Sequence, residues 1–433
     1  MRARLLALYD AAVAAAHPDV CLLPHLPPLS DGGRLYVVGA GKAAAAMAAA
    51  AERHYRALGV LDRVGGFTTA PHGTPEALAG APPSVIEVVS ARHPTPDAAG
   101  VRAAERALAL VGQASERDLV LVLLSGGASS LWPAPVAGLT LAAKTELTRG
   151  LLKSGADIHE MNTVRRHVSR IKGGRLRKAT RARMLTLAIS DVPGDDPATI
   201  GSGPTVPDPT TLAHARAVLE RRGPAMAALG LALPAAVAAA LADPANETPK
   251  PDDAAFATAE YRIIATPAVA LAAAAALARR QGYEVMDLGD AVTGEAREVA
   301  RAHAAIALDA KAQNRKVAII SGGELSVTVR NRQGRGGRCQ EYAVALALAL
   351  DGAAGIAALA ADTDGIDGGE GRTTDPAGAT IDPQTVAGQR HLDAKKFLDD
   401  NDATSFFEAA GGLIVRGPTH TNVNDFRVIL VDA

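Results

Sequence analysis

Cysteine is nearly absent from the 433-residue chain: Cys21 and Cys339 are its only two, far apart and without metal-ligand spacing. No disulfide framework can be built from them, and a reducing, cytoplasmic setting is expected. Aromatic residues are scarce too, at 3%. That disfavours an aromatic-rich β-sandwich, and no aromatic is interleaved among the basic residues to stack nucleic-acid bases. An excess of either charge is also missing: 45 Lys and Arg stand against 46 Asp and Glu, for a net charge of -1. This removes any global electrostatic case for nucleic acid or an anionic membrane, so an anionic ligand must be bound locally. No apolar run approaches the roughly 20 residues that cross a bilayer without Gly, Pro or charge. Asp10 interrupts the stretch after Met1-Arg2-Ala3-Arg4 before a signal peptide is complete, so an amphipathic first helix in a soluble protein is expected.

What the chain does have is aliphatic residues, alanine and glycine: 48% is hydrophobic and 42 residues are glycine. This composition fits α/β packing, and the length predicts two domains. The polar, proline-rich stretch Asp243–Asp253 is the clearest break, giving a first domain over 1–242, a linker over 243–258 that could serve as a hinge, and a second domain over 259–433. Continuous apolar runs at Leu35–Val38, Asp118–Leu124 and Met184–Ile189 read as parallel strands buried on both faces. Downstream, strands at Tyr261–Thr266, Tyr283–Leu288 and Lys316–Ile320 alternate with helices at Pro267–Arg280 and Gly294–Ala312. That rhythm predicts a second parallel, doubly wound sheet.

The residues that follow these strands carry the chemistry. Gly39-Ala40-Gly41-Lys42, Ser125-Gly126-Gly127-Ala128-Ser129-Ser130 and Ser321-Gly322-Gly323-Glu324 all sit where strand carboxyl ends form a ligand crevice. Such turns offer backbone N–H groups and hydroxyls to a phosphate or carboxylate. The first fails the phosphate-loop pattern, with Tyr36 at the first glycine position and Ala43 in place of Ser or Thr, and is an incomplete dinucleotide fingerprint ending in Ala44. Two acidic turns, Asp191 with Asp195 and Asp196 and Asp362 with Asp364 and Asp367, supply hard oxygen ligands of the kind Mg²⁺ accepts. Arg335 and Arg338 stand in a glycine-rich loop, suited to binding a carboxylate or phosphate. The nine basic residues from Arg165 to Arg183, Lys172 among them, read mostly as a solvated helix face. No hydrolase signature occurs, and a structural role is expected for His93 and His420.

Together, Val38–Lys42, Leu124–Leu131, Ser169–Leu176, Ser190–Asp196, Gly201–Thr205, Ser321–Glu324, Gly336–Glu341, Asp362–Gly368 and Gly417–Asp425 resemble the glycerate 2-kinase family, whose members are often labelled hydroxypyruvate reductases of tartrate degradation. The resemblance implies an N-terminal Rossmann-like parallel sheet and a smaller C-terminal α/β (MOFRL) domain over about 316–428, with an interdomain cleft between them. It further implies ATP-dependent phosphorylation of D-glycerate at the 2-hydroxyl, with the family's essential lysine and arginine at Lys42 and Arg338. On that basis Lys42, Arg338 and Asp191 are the expected catalytic residues, and Asp191, Glu324 and Asp364 the expected Mg²⁺ ligands. ATP binding is expected at Gly41, Ser125, Gly126, Gly127, Ser129, Lys172, Ser321, Gly322, Gly323, Glu324 and Asp364. The general base stays open between Asp191 and Asp364. Cys339 and His420 replace the family's usual Asn and Gly, which leaves substrate preference more open. Two alternatives stand beside the kinase: an NAD(P)H-dependent hydroxypyruvate reductase, and a non-catalytic sugar-phosphate binding module. The expected partner is small-molecule glycerate, with no nucleic acid and no membrane, and a homodimer stays open.

Overall fold

A computed structural model describes residues 1–29, 32–74, 78, 82–369, 372–389 and 391–432. The chain divides into a contiguous unit, Leu22–Ile264, and a composite unit, Met1–Cys21 with Ala265–Ala433.

The contiguous unit is built on six strands, β1 (Leu35–Ala40), β2 (Val64–Pro71), β3 (Ile86–Ala91), β4 (Leu119–Leu124), β5 (Arg183–Ile189) and β6 (Ala259–Ala265), in the order β3-β2-β1-β4-β5-β6. The pairings from β3 through β5 are all parallel. The expected apolar runs are strands because both faces are covered: Val38, Val120, Val122 and Leu124 are buried with Trp132, whose indole N–H donates to Thr69 Oγ1 at 3.1 Å. The alanine tract becomes the helix Ala44–Ala57, almost wholly buried, because small side chains let its backbone lie close to the sheet.

The composite unit carries β7 (Glu284–Asp287), β8 (Gly294–Glu295), β9 (Val317–Ser321), β10 (Leu325–Ser326), β11 (Ile356–Asp362), β12 (Gly378–Ile381), β13 (Leu413–Ile414) and β14 (Asp425–Val431). Its main sheet runs β13-β12-β11-β14-β9-β7, and β8 pairs with β10 in a small ladder. This corrects the expected second parallel sheet. Only β7 and β9 pair in parallel within the main sheet; β14 inserts antiparallel between β9 and β11, and β12 and β13 extend the sheet antiparallel. The strand expected to open the second domain, now β6, lies at the edge of the first sheet instead.

The expected domain limits shift for two physical reasons. The helix Arg2–Ala16 buries Leu5, Leu8, Tyr9 and Ala12 in the composite unit, where Tyr9 donates to Asp362 O at 2.8 Å. The stretch expected to be a linker is bound to the contiguous unit: Glu247 contacts His167 at 3.1 Å and Lys250 at 2.6 Å, and Thr248 donates to Asp208 at 3.1 Å. Burial works against the Glu247 carboxylate, but Lys250 and the Leu212 N–H outweigh it and bring its pKa down to about 2. Prolines here shape a loop bonded to the contiguous unit. No single helix among the described residues is long and apolar enough to cross a membrane.

Candidate active site

In the contiguous unit the site begins where β1 and β4 end side by side. Gly41 has φ +140, and a Cβ there would lie 2.0 Å from Ser125 Oγ, so only glycine lets the two turns interlock. They are then tied together: Gly41 N donates to Thr69 O at 3.1 Å, Lys42 N to Gly126 O at 2.8 Å, and Ala43 N to Ser125 Oγ at 2.9 Å. These are the N–H groups a dinucleotide pyrophosphate would need, and all three are engaged within the protein. Gly41 and Ser125, both expected to bind cofactor, pack against each other and so fix the backbone at Lys42. A Cβ at Gly127 would fall 2.9 Å from the His93 ring and 3.7 Å from Lys42 Cγ, so this glycine is flanked by both residues.

Beside this turn lies a cavity of 590 Å³ whose walls include Gly127, Ser129, Lys144, Arg149, Arg165 and Lys172. Lys172 is 2% exposed and donates to Ser129 O at 2.9 Å and Gly201 O at 3.3 Å. Ser129 Oγ meets Ser202 Oγ at 2.8 Å, and Ser202 in turn donates to Asn162 Oδ1 at 3.1 Å. Burial, helped by Arg165, lowers the Lys172 pKa to about 7. Lys144 bonds to the carbonyls of Pro133 and Val168, and burial, with Lys172 and Arg165 nearby, pushes its pKa well down. No carboxylate lines the cavity among the described residues. Sequence reasoning missed Lys144 and took Arg165 for part of a solvated face; the signal available was a basic run with few acids interleaved.

The composite unit presents the opposite electrostatics. Arg338 opens the helix Arg338–Leu350, and its Nε donates to Asp425 at 2.7 Å while Nη2 donates to Asp362 at 2.7 Å. Glu324 lies 3.6 Å away on the third side. Burial opposes the charge of Arg338, yet Asp362 and Asp425 outweigh it and hold its pKa well above the ordinary arginine value. Asp367 caps the same helix, accepting from Cys339 N at 3.0 Å and Gln340 N at 2.8 Å. A Cβ on Gly337 would sit 2.2 Å from that carboxylate, which explains the glycine at this position. Burial pushes Asp367 up to about 6, against those N–H donors.

The expected anion cradle at Ser321-Gly322-Gly323 has an arginine beside it. Arg427 Nε donates to Ser321 Oγ at 3.1 Å and its Nη2 bonds to Gly322 O, so the turn receives a guanidinium. Arg338 is likewise engaged by carboxylates instead of being presented to an anion. Among the expected metal ligands, Glu324 lies against Arg338, and Asp364 shares the turn of Asp362, donating from its N–H to Asp362 Oδ1 at 3.0 Å. Asp191 belongs to the other unit, on the loop after β5. Of the remaining acidic turn residues, Asp196 accepts from Ala198 N at 3.0 Å and Thr199 Oγ1 at 2.8 Å, a turn role. No group of three or more His, Cys, Asp or Glu among the described residues is arranged to hold a metal.

The comparisons agree along the whole chain. Residues 4–242 match the family described as a domain of unknown function, DUF4147, and residues 317–425 match the MOFRL family. A D-glycerate 2-kinase from Thermotoga maritima is 37% identical over 97% of this chain and 96% of its own. The chain belongs to the glycerate 2-kinase family. A crystal structure of a Thermotoga maritima glycerate kinase superposes with a TM-score of 0.85 at 35% identity, over 99% of this chain and 98% of that one. A relative from Agrobacterium vitis that carries a hydroxypyruvate reductase name is 46% identical, over 98% of this chain and 93% of its own. In this chain the N–H groups of the first turn are bonded within the protein, to Thr69, Gly126 and Ser125.

Proposed function

We propose that this chain is a glycerate kinase that transfers the γ-phosphoryl group of ATP to the 2-hydroxyl of D-glycerate, giving 2-phosphoglycerate. The observation that carries the reading is the carboxylate-free basic cavity beside Lys42 in the contiguous unit, a receptor for anions in a protein whose net charge is only -1. Whole-length similarity to proteins named as glycerate kinases supports the substrate.

Phosphoryl transfer asks a protein mainly for positioning and charge neutralisation. Lys42, held by the interlocked turns, neutralises charge on the phosphoryl group in transit. Lys172 and the Ser129 region bind anionic groups of the reactants. Arg338 is a positioning residue, drawing Asp362 and Asp425 into one cluster that neither carboxylate could maintain against the other alone. Mg²⁺ commonly takes one or two carboxylates, keeps waters and binds substrate phosphates, so the absence of a three-acid cluster is compatible with it. Within the composite unit, Glu324 and Asp364 offer hard oxygen donors of the kind that would hold it, and in the contiguous unit Asp191 does. When bound, Mg²⁺ would screen the β- and γ-phosphate charge.

The reductase label of the Agrobacterium vitis relative is the competing reading. Against it stand the first-turn N–H groups, bonded to Thr69, Gly126 and Ser125. Two assays decide between them. With ATP, Mg²⁺ and D-glycerate, ADP should form only when glycerate is present, while NAD(P)H with hydroxypyruvate should stay unoxidised. Oxidation of NAD(P)H with no glycerate-dependent ADP would reverse the assignment.

A further inference from the structure

Two adjacent arginines on the helix Ile158–His167 differ in a way the phosphoryl-transfer reading does not use. Arg166 is buried and bound to Asp208 at 3.0 Å. Arg165 faces the 590 Å³ cavity, is withdrawn enough from solvent for burial to lower its pKa, and has no carboxylate partner among the described residues. Arg165 is half-buried, and drawing a charge partly out of water without a counterion is costly, a cost an anionic ligand would offset. Lys172 and Lys144 add two cations, both buried, to the same walls. The other polar groups are complementary to hydroxyls. Thr145 and Thr148 donate to their own helix carbonyls, Leu141 O at 2.9 Å and Lys144 O at 3.0 Å, so toward the cavity their oxygens can only accept. His93 is the one aromatic ring in the lining, and among the described residues no acid stands there to share Mg²⁺ with phosphates.

We infer that this cavity is the acceptor pocket, in which Arg165 takes the carboxylate of a small hydroxy acid and the Thr145 and Thr148 oxygens accept from its hydroxyls. The inference rests on the kinase reading for the identity of the acid, D-glycerate, and assigns the specificity for a carboxylate to Arg165. Guanidinium matches a carboxylate in a two-pronged, planar contact that the point charge of lysine does not reproduce.

Calorimetric titration separates this inference from the kinase reading because it needs no turnover. D-Glycerate and ADP are titrated separately into the full-length wild-type chain and the R165M and R165K variants, with melting curves to confirm that each is folded. R165M should weaken D-glycerate binding about 10- to 100-fold, the range for losing a charged hydrogen-bond partner, and R165K should recover only part of it. ADP affinity should be unchanged, and glycerol, which lacks the carboxylate, should bind wild type and R165M equally poorly. Unaltered glycerate binding in R165M, loss of ADP binding in its place, or no glycerate binding by wild type would each overturn the assignment. If wild type binds glycerate through Arg165 yet forms no ADP from ATP, the pocket stands and the kinase reading falls.

Discussion

The chain contains the same three residues, Ser-Gly-Gly, at the end of a buried strand in each unit, and the two turns meet opposite fates. Ser125-Gly126-Gly127 faces N–H donors of the neighbouring turn and borders a cavity walled by lysines and arginines. Ser321-Gly322-Gly323 faces Arg427, which takes its hydroxyl and a carbonyl, beside a cluster in which Asp362, Asp425 and Glu324 surround Arg338. The difference teaches that this motif specifies a turn and leaves its ligand to whatever the fold brings opposite. The cavity of one unit gathers cations without acids among the described residues, while a cluster in the other gathers acids around two arginines. The near-zero net charge is the sum of these separated constellations and much else, and conceals both.

The contrast can be broken most severely at Arg338. An R338M variant leaves Asp362 and Asp425 buried without their shared cation and should cost about 3–5 kcal/mol of stability in the composite unit, read by chemical denaturation. In the contiguous unit, K42A should fold normally and lose about 10²–10³-fold in kcat, the scale of one preorganised charge-stabilising donor. Near-normal turnover of K42A would remove it from the mechanism.

Acid treatment separates the units next. Glu52 accepts from the N–H groups of Ser84, Val85 and Ile86 at 2.8–3.0 Å. Burial opposes its charge, but those donors bring its pKa down to about 2, below the ordinary carboxylate value. Its stabilisation is therefore complete above about pH 4.5 and fades as pH falls toward 2, so E52Q should destabilise by about 1–3 kcal/mol at pH 7 and by less at pH 3. Asp367 has the opposite sign, since burial raises it to about 6. Ionising it weakens the folded state as pH rises from about 4 to 6, and D367N should flatten that slope in denaturation measured across the range.

A milder effect concerns substrate affinity. Lys172, lowered to about 7 by burial and then by Arg165, with the carbonyls of Ser129 and Gly201 on its ammonium, must be protonated to assist an anion. The KM for glycerate should rise several-fold between pH 6.5 and 8.5, and K172R should remove most of that rise. The smallest effect expected is from S321A, which deletes one acceptor of Arg427 and should lower stability by about 1 kcal/mol with little change in kcat. A large kcat loss there would mean the second turn also meets substrate.

Much of this was legible in the sequence because buried parallel strands are continuous apolar runs: Leu119–Leu124 and Arg183–Ile189 differ from their expected limits by a residue. Partner choice was not legible. Nothing local in Asp425–Val431 says that it inserts antiparallel between two earlier strands, nor does Arg2–Ala16 reveal that it packs on residues some 350 positions away. At the site, Lys42 and Ser125 were expected from their turns, and Lys172, first read within a solvated basic run, from the family resemblance. Arg165 was missed because a cation on a mixed helix looks solvated until the lack of an opposing acid is seen in three dimensions. Arg338 was expected at the site, but not the carboxylates that engage it, which come from strands 24 and 87 residues further on.

The most direct test of the contrast between the units is hydrogen exchange with and without D-glycerate. Slowed exchange should be confined to the cavity walls of the contiguous unit, in Ala128–Leu131, Leu141–Lys153 and Ile158–His167. Protection instead at Val317–Ser321 and the first turn of Arg338–Leu350, with none at the cavity, would contradict the account.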